Sequence, residues 1–284
     1  MNTTTRLAGF GVALVAILGV GAGLGAAVGP DVVPAEAEAP APIGQGVVAA
    51  AEGYRLVPTS TDLDPAGGAF RFAIDDQEGE AVAAFTPIHE RNLHLIVVSR
   101  ELTTFLHVHP TLAADGTWSI DLPPLAAGSY RAVADFQIDG GPRLALGIDL
   151  AVAGSYRPTQ LPEPTPTTIT DGYEVALSTE RGDGGEVTAQ LTVRRDGEPV
   201  TDLEPYLGAR GHLVAIRTGD LAYAHVHPVE DEGDSVPGVV TFDAELSSAG
   251  RYGLFFDFKH NGTVHTASFT FDQGPVTGPS DMEM

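Results

Sequence analysis

The chain has 284 residues, a formal net charge of −23 at pH 7 and a pI of about 4.5. This length is enough for roughly two domains of ordinary size. The acidic balance argues against a nucleic-acid or anionic-membrane surface and makes cations the natural partners. The absence of cysteine excludes disulfides and thiolate-ligated zinc, iron–sulfur or blue-copper sites. Any metal site must therefore use nitrogen and oxygen donors.

The first segment, residues 1–30, is predicted to be a signal peptide or a transmembrane anchor. Residues 7–29 carry no charge and are long enough to cross a bilayer as a hydrophobic helix. The same stretch is rich in glycine and is followed by small residues, as a cleaved secretory signal would be. In both cases Arg6 stays inside and the chain beyond Pro30 is exported. The sequence therefore predicts an extracytoplasmic protein that is either membrane-anchored through this segment or secreted.

The rest of the chain contains an internal duplication. HLIVVSRELTTFLHVHP, from His94, recurs as HLVAIRTGDLAYAHVHP from His212, and GSYRAVADFQIDGG, from Gly128, recurs as GRYGLFFDFKHNGT from Gly250. Pro-rich stretches of low apolar content precede and separate the repeats and are typical of a stalk and a linker. We therefore divide the chain into a stalk (31–49), repeat one (50–152), a linker (153–170), repeat two (171–272) and a flexible tail (273–284).

Each repeat has the pattern of an antiparallel β-sandwich. Short runs of Val, Ile, Leu, Phe and Tyr alternate with Gly, Pro, Asp and Asn clusters. Asn261-Gly262 is a strong signal for a two-residue hairpin turn. The sequence therefore predicts an all-β protein with two tandem Ig-like or cupredoxin-like sandwiches. Fragments 46–156 and 168–274 are expected to fold alone, since each holds a full set of strands.

The histidines of repeat one are candidate metal ligands. A hairpin turning at Glu101-Leu102 pairs His94 with His109 and Ile96 with His107, which places the three histidines on one face. Three imidazoles on one face of a hairpin can bind one first-row metal ion. The preceding His89 and Glu90 could complete the coordination shell. On intrinsic affinity Cu(II) is favoured, with Zn(II) as the alternative metal.

Repeat two offers a second, less complete set of candidates. The same construction around Gly219-Asp220 groups His212, His225 and His227, but nothing in repeat two corresponds to His89 and Glu90. Two weaker candidates, His260 and His265, flank the Asn261-Gly262 turn on one face of their hairpin. The two aspartates in the repeated strand, Asp135 and Asp257, are expected to be surface or capping residues.

The segment HERNLHLIVVSRELTTFLHVHP resembles a motif of exported actinobacterial proteins of the YtkA-like, heavy-metal-associated type. The residues that carry the resemblance are His89, Glu90, His94, His107, His109 and Pro110. The resemblance implies an extracytoplasmic β-sandwich that handles copper or other heavy metals. A membrane metal transporter is a candidate partner for such a protein.

Two functions remain open from the sequence. One is a metal-binding protein that acts in metal buffering, delivery or resistance; the other is a non-metal structural or interaction module at the cell surface, in which the histidines only pack and hydrogen-bond. An enzyme is not expected, because the chain has no cysteine nucleophile and no GxSxG-type elbow. The segment HVHPTLAADG in repeat one also lacks the following glutamate that cupins carry, and GSYRAVADF lacks their further histidine.

Overall fold

The computed structural model describes residues 41–224, 226–229 and 236–276, which all belong to one compact unit. The predicted N-terminal hydrophobic helix, His225 and the last eight residues lie outside these ranges. Within them, no helix has the length and apolar character needed to cross a membrane. The predicted all-β class is confirmed, because the strands of the described residues form mainly antiparallel sheets and the regular structure beside them is one short 3₁₀ turn.

Repeat one forms the first sandwich. Its strands are β1 (Ala50–Ala51), β2 (Tyr54–Pro58), β3 (Asp62–Leu63), β4 (Gly68–Asp75), β5 (Phe85–Thr86), β6 (Leu93–Ser99), β7 (Phe105–Val108), β8 (Thr111–Leu112), β9 (Trp118–Leu122), β10 (Gly128–Ile138) and β11 (Arg143–Val152). One sheet has the order β1-β2-β4-β9-β8; the other has the order β3-β11-β10-β6-β7, with β5 added to β10.

Repeat two forms the second sandwich. Its elements are β12 (Thr167–Thr170), β13 (Tyr173–Arg181), a 3₁₀ turn (Asp183–Gly185), β14 (Glu186–Arg195), β15 (Glu198–Pro199), β16 (His212–Arg217), β17 (Tyr223–Ala224), β18 (Val226–Pro228), β19 (Val239–Glu245), β20 (Gly250–His260) and β21 (Thr263–Gln273). One sheet runs β12-β13-β14-β19-β18, with β15 beside β14; the other runs β17-β16-β20-β21. Asn261 and Gly262 both have positive φ between β20 and β21, which confirms the predicted turn.

Three apolar clusters hold the described residues together. Each sandwich has its own core between its two sheets. The third cluster lies between the sandwiches and joins the outer faces of β6 and β10 to those of β16 and β20. Phe105 packs against this cluster, and its ring stacks on that of Phe255 with 4.1 Å between the centroids and 4° between the planes. The two repeats therefore pack face to face.

The sequence of the strands at this interface explains why the two repeats pack face to face. β6 reads LHLIVVS and is buried along its whole length. Leu95 and Val97 face the core of the first sandwich, whereas Ile96 and Val98 face the second sandwich. A strand that is apolar on both faces must be packed against other elements on both faces. An uncovered face would keep its apolar side chains in contact with water, which is unfavourable.

The segments predicted to be stalk and linker are partly ordered against the sandwiches. Ile43 and Gly46 donate backbone hydrogen bonds to the carbonyls of Arg143 and Ala145, at 3.0 and 2.8 Å, so residues 43–46 continue the sheet at β11. In the linker, Glu163 pairs with Arg251 at 3.1 Å. Apolar residues within these Pro-rich stretches explain the difference from the expected free stalk, since Leu161 packs against the apolar cluster between the sandwiches.

Candidate metal centre

The predicted register of the first histidine hairpin is confirmed. Ile96 lies opposite His107 in the β6–β7 ladder. Side chains two apart on a strand share a face, so His94 and His107 project on the same side as Ile96. This side is the outer face of the first sandwich, which the second sandwich covers. His94 is 2% exposed, and the side chain of His107 is 1% exposed.

The second sandwich adds His212 to the same cluster. His212 begins β16 and its ring is parallel to that of His94, with 3° between the planes and 5.6 Å between the centroids. The centroids of His107 and His212 are 4.8 Å apart. One ring nitrogen from each of His94, His107 and His212 lies within 4.8 Å of the other two. The candidate centre is therefore built from both repeats.

Two further histidines surround these three. Nε2 of the half-buried His109 is 3.2 Å from Nδ1 of His94. His89 lies in the turn before β6, with its ring centroid 6.0 Å from His94 and 5.4 Å from His212. Its neighbour Glu90 is exposed. The structure thus brings His89 and His109 to the cluster but leaves Glu90 at the surface.

Hydrogen bonds fix the protonation of two rings. Nε2 of His94 is 2.9 Å from the carbonyl oxygen of Ile88, which can only accept, so this nitrogen carries the hydrogen. Nδ1 of His107 donates in the same way to Oδ2 of Asp257 at 2.8 Å. In the neutral rings the remaining nitrogens, Nδ1 of His94 and Nε2 of His107, carry lone pairs, and they face each other at 3.0 Å.

Burial and repulsion between the rings keep His94, His109 and His212 neutral at physiological pH. Burial, together with the positive charge that a protonated His107 would carry, lowers the pKa of His94 to about 3. Burial and the neighbouring His107 and His94 likewise lower the pKa of His109 to about 3. Burial, followed by repulsion from the surrounding histidines, holds the pKa of His212 well below its ordinary value. Neutral imidazole is the form that binds metal ions.

The two repeated aspartates are buried at this interface, so the expectation of surface or capping residues was wrong. Asp135 and Asp257 are each 2% exposed, because the faces that carry them are covered by the opposite sandwich. Asp257 accepts hydrogen bonds from His107 and, at 2.6 Å, from Thr266. Burial and the charge of Asp257 raise the pKa of Tyr206 to about 12, so that hydroxyl stays protonated.

The predicted second cluster in repeat two is not assembled by the described residues. His212 joins the first-repeat histidines. His227 instead lies in β18, where its backbone is opposite Asp243 of β19 in the other sheet of the second sandwich. The described β16–β17 ladder includes Ala224, and from Val226 the chain pairs with β19, whereas in repeat one β7 stays beside β6 as far as Val108. His225 lies outside the described residues.

The two weaker candidates occupy a separate part of the second sandwich. His260 and His265 lie on one face, as predicted, and both contact the ring of Tyr173, at centroid distances of 5.6 and 4.7 Å. Each also pairs with a carboxylate: His260 with Asp202 at 3.2 Å and His265 with Asp171 at 2.8 Å. These contacts use the histidines as hydrogen-bonding and packing groups at the turn end of the β20–β21 hairpin.

Sequence reasoning named His212 as a metal ligand but did not group it with His94 and His107, and it missed Asp257. It assigned His212 to a cluster within repeat two, and it placed Asp257 at a surface. The signal that could have found them is the loss of alternation in HLIVVS and HLVAIR, because a strand apolar on both faces must meet a second layer. Each repeat offers one such strand, so the two strands could have been predicted to cover each other.

The fold and the site together define a protein of two tandem antiparallel β-sandwiches with a histidine cluster between them. The chain belongs to the family described as Domain of unknown function (DUF8832), which matches residues 49–152 and 167–274, one match for each sandwich. No curated protein matches the chain in sequence. The resemblance to YtkA-like proteins therefore stays a prediction.

The solved structures that match the chain are only distantly similar to it. A DUF4426 family protein from Pseudomonas aeruginosa PAO1 is 12% identical with a TM-score of 0.30, over 39% of this chain and 98% of that one. Invasin, a bacterial integrin-binding protein, is 12% identical with a TM-score of 0.22, over 79% and 40% of the two chains. The N-terminal Ig1-2 module of the Drosophila receptor protein tyrosine phosphatase DLAR is 10% identical with a TM-score of 0.20, over 77% and 97%. Likeness at this level carries no argument about function.

Proposed function

We propose that the protein binds one first-row transition-metal ion between its two sandwiches, through His94, His107 and His212. Half-buried His109 would supply a fourth nitrogen from the more accessible side. Imidazole nitrogens suit zinc, copper, iron and nickel, and among divalent ions Cu(II) has the highest intrinsic affinity for such donors. We therefore favour Cu(II), with Zn(II) as the alternative.

The facing lone pairs of His94 and His107 carry this proposal. Two buried acceptors at 3.0 Å repel each other unless a proton or a cation lies between them. A proton on Nδ1 of His94 is disfavoured at neutral pH, because the pKa of His94 is lowered to about 3. His109 can donate one hydrogen bond to His94, but this leaves the Nε2 lone pair of His107 without a donor among these three rings. A metal ion at about 2.0–2.1 Å from each nitrogen would satisfy the converging donors together.

The chemistry of the donors favours binding and release over electron transfer. The chain has no thiolate, so bound copper would lack the intense thiolate band of blue-copper sites. We place the function outside the cytoplasm, because Arg6 precedes the apolar segment and favours export of the residues beyond it. Metal buffering, delivery or resistance fits these properties, and a membrane metal transporter is the kind of partner that would exchange the ion.

Metal titration of the full chain, purified without an affinity tag, tests the proposal. Calorimetry with Cu(II), and separately with Zn(II), should show saturable binding of one ion per chain. We expect His107→Ala and His212→Ala each to abolish it, although they lie in different repeats. The control is His265→Gln, a histidine outside the cluster, which should bind as the wild type does. Electron paramagnetic resonance of the Cu(II) form should show nitrogen ligands.

The opposite outcome would favour the other function. If the wild type shows no saturable binding, the histidine cluster serves packing between the sandwiches, and the protein is better described as a structural or interaction module. If binding survives in both His107→Ala and His212→Ala, the ion is held elsewhere and the assignment of the ligands is wrong.

A further inference from the structure

The two repeats place an aspartate at the same point beside each of the stacked histidines. Asp135 lies opposite His94 in the β6–β10 ladder, and Asp257 lies opposite His212 in the β16–β20 ladder. Both are buried. The duplication therefore supplies two equivalent buried carboxylates next to the candidate metal centre.

The two aspartates have different hydrogen-bond partners. Asp135 forms a buried bidentate ion pair with Arg143, at 2.9 and 3.2 Å. It also accepts a hydrogen bond from the hydroxyl of Tyr223 at 3.1 Å. Although burial alone would raise it, Arg143 holds the pKa of Asp135 below its ordinary value. The charge of Asp135 is thus balanced by a permanent cation.

Asp257 has a different environment because its neighbouring strand has a different sequence. β21 places Thr266 directly opposite Asp257, and its hydroxyl donates to Oδ1 at 2.6 Å. The other carboxylate oxygen accepts from Nδ1 of His107 at 2.8 Å. Neither of these two donors is a guanidinium with a permanent charge, unlike the Arg143 partner of Asp135. The negative charge of Asp257 is therefore directed at a ring of the histidine cluster.

We propose that Asp257 is a positioning residue for the metal centre, which holds the hydrogen of His107 on Nδ1 and supplies the negative charge that a buried cation requires. The proposal rests on the function proposed above. A carboxylate acts only as an acceptor, so it keeps the Nε2 lone pair of His107 directed at His94. A carboxylate behind a ligating histidine also raises the basicity of the ligand.

The charge balance explains why two equivalent aspartates would give one site. Neutral imidazoles cannot offset the charge of an ion, and an uncompensated charge in a dry interface is costly. With Asp257, a divalent ion leaves a net charge of +1 instead of +2 at the centre. Asp135 cannot do the same, because Arg143 already balances it. We therefore expect one ion per chain, held against the Asp257 side.

The test compares Asp257→Asn with the wild type as full chains. We expect Cu(II) affinity to fall by about 10- to 100-fold, the usual cost of losing an outer-shell partner of a metal ligand. The matched control is Asp171→Asn, which removes the same charge from an aspartate that also pairs with a histidine, His265, away from the cluster. Its affinity should equal that of the wild type. An unchanged affinity in folded Asp257→Asn would overturn the proposal.

A second measurement covers the case in which Asp257→Asn does not fold. ¹⁵N NMR of the histidine rings in the metal-free wild type should show His107 protonated at Nδ1 and unprotonated at Nε2. The reverse tautomer would overturn the role of Asp257. This measurement needs no metal, so a wild type that fails to bind Cu(II) would refute the proposed function and leave the tautomer as a separate result.

Discussion

His94 has one ring nitrogen committed to the fold and one directed at the candidate centre. Its Nε2 donates to the carbonyl of Ile88 in the turn before β6, and its Nδ1 faces the other histidines. Burial between two sandwiches makes protonation unfavourable and lowers the pKa of His94 to about 3. The same burial that prepares a metal ligand therefore makes the metal-free protein sensitive to acid.

The metal-free chain should lose stability as the pH falls below the ordinary value for histidine. The unfolded chain binds a proton at His94 with a pKa near 6.5, whereas the folded chain does so only at about 3. Between these values the unfolded state binds more protons, so the free energy of unfolding falls by about 1.4 kcal/mol per pH unit for each such histidine. Asp135 opposes this shift and His107 and His89 reinforce it.

Denaturant unfolding of the chelator-treated chain at several pH values between 6.5 and 5 measures this slope. The control is His94→Gln, which removes one titrating group. The free energy of unfolding of this variant should depend less steeply on pH than that of the wild type, by close to the 1.4 kcal/mol per pH unit that corresponds to about one proton. Equal slopes for the two proteins would contradict the assigned protonation of His94.

At the residue scale, the sequence predicted the histidines better than the aspartates. The spacing of His94, His107 and His109 within one hairpin was enough to place them together, because strand pairing has a fixed period of two. Asp257 gave no such signal. Its partner His107 is 150 positions away in the chain, and only the packing of one sandwich on the other brings them together.

At the scale of elements, the two hairpins begin alike and end differently. β6 pairs with β7 and β16 pairs with β17 in the predicted registers. Both repeats then cross to the opposite sheet, but repeat two pairs there from Val226, in β18, whereas repeat one does so only from Thr111, in β8. The sequence could not predict this earlier crossing, because His-Val-His-Pro ends both hairpins and the difference depends on which neighbouring strand takes up the backbone hydrogen bonds.

This difference predicts unequal roles for the matching histidines His109 and His227. His109→Ala should weaken Cu(II) binding, because its Nε2 lies 3.2 Å from Nδ1 of His94. His227→Ala should leave binding unchanged, because β18 carries it to the other sheet. Parallel calorimetric titrations of the two full-length variants make the comparison. An equal loss of Cu(II) affinity in both variants would show that His227 also belongs to the centre and would contradict its placement in the other sheet.

At the scale of the whole molecule, the sequence predicted two sandwiches joined by a linker but not their packing. Composition and the repeat identify the number of sandwiches. Their arrangement depends on the outer faces of β6, β10, β16 and β20, which form a third apolar cluster. Fully burying a side chain such as Ile96 or Val98 contributes roughly 1.5–3 kcal/mol relative to leaving it exposed, so this face has a strong tendency to associate.

The shared face changes what separate repeats should do. Fragments 46–156 and 168–274 each keep their own core, but each exposes its half of the third cluster. The first fragment carries His94 and His107, and the second carries His212 and Asp257. We therefore expect the first fragment alone to bind Cu(II) more weakly than the full chain, by at least about tenfold if the lost outer-shell carboxylate behaves as in other metal sites.

Mixing the two fragments should restore the affinity, because association rebuilds the apolar interface and returns His212 and Asp257 to the cluster. Analytical ultracentrifugation would measure the association, and titration of the equimolar mixture would measure the recovery. The control is a second fragment with Phe255→Asp, which places a charge where Phe255 stacks on Phe105 and should neither associate nor restore binding. If the first fragment alone bound the ion as tightly as the full chain, the site would be complete within one repeat, as the hairpin pattern alone predicted. The contacts between His94, His107 and His212 would then be a consequence of packing and would have no role in binding the metal.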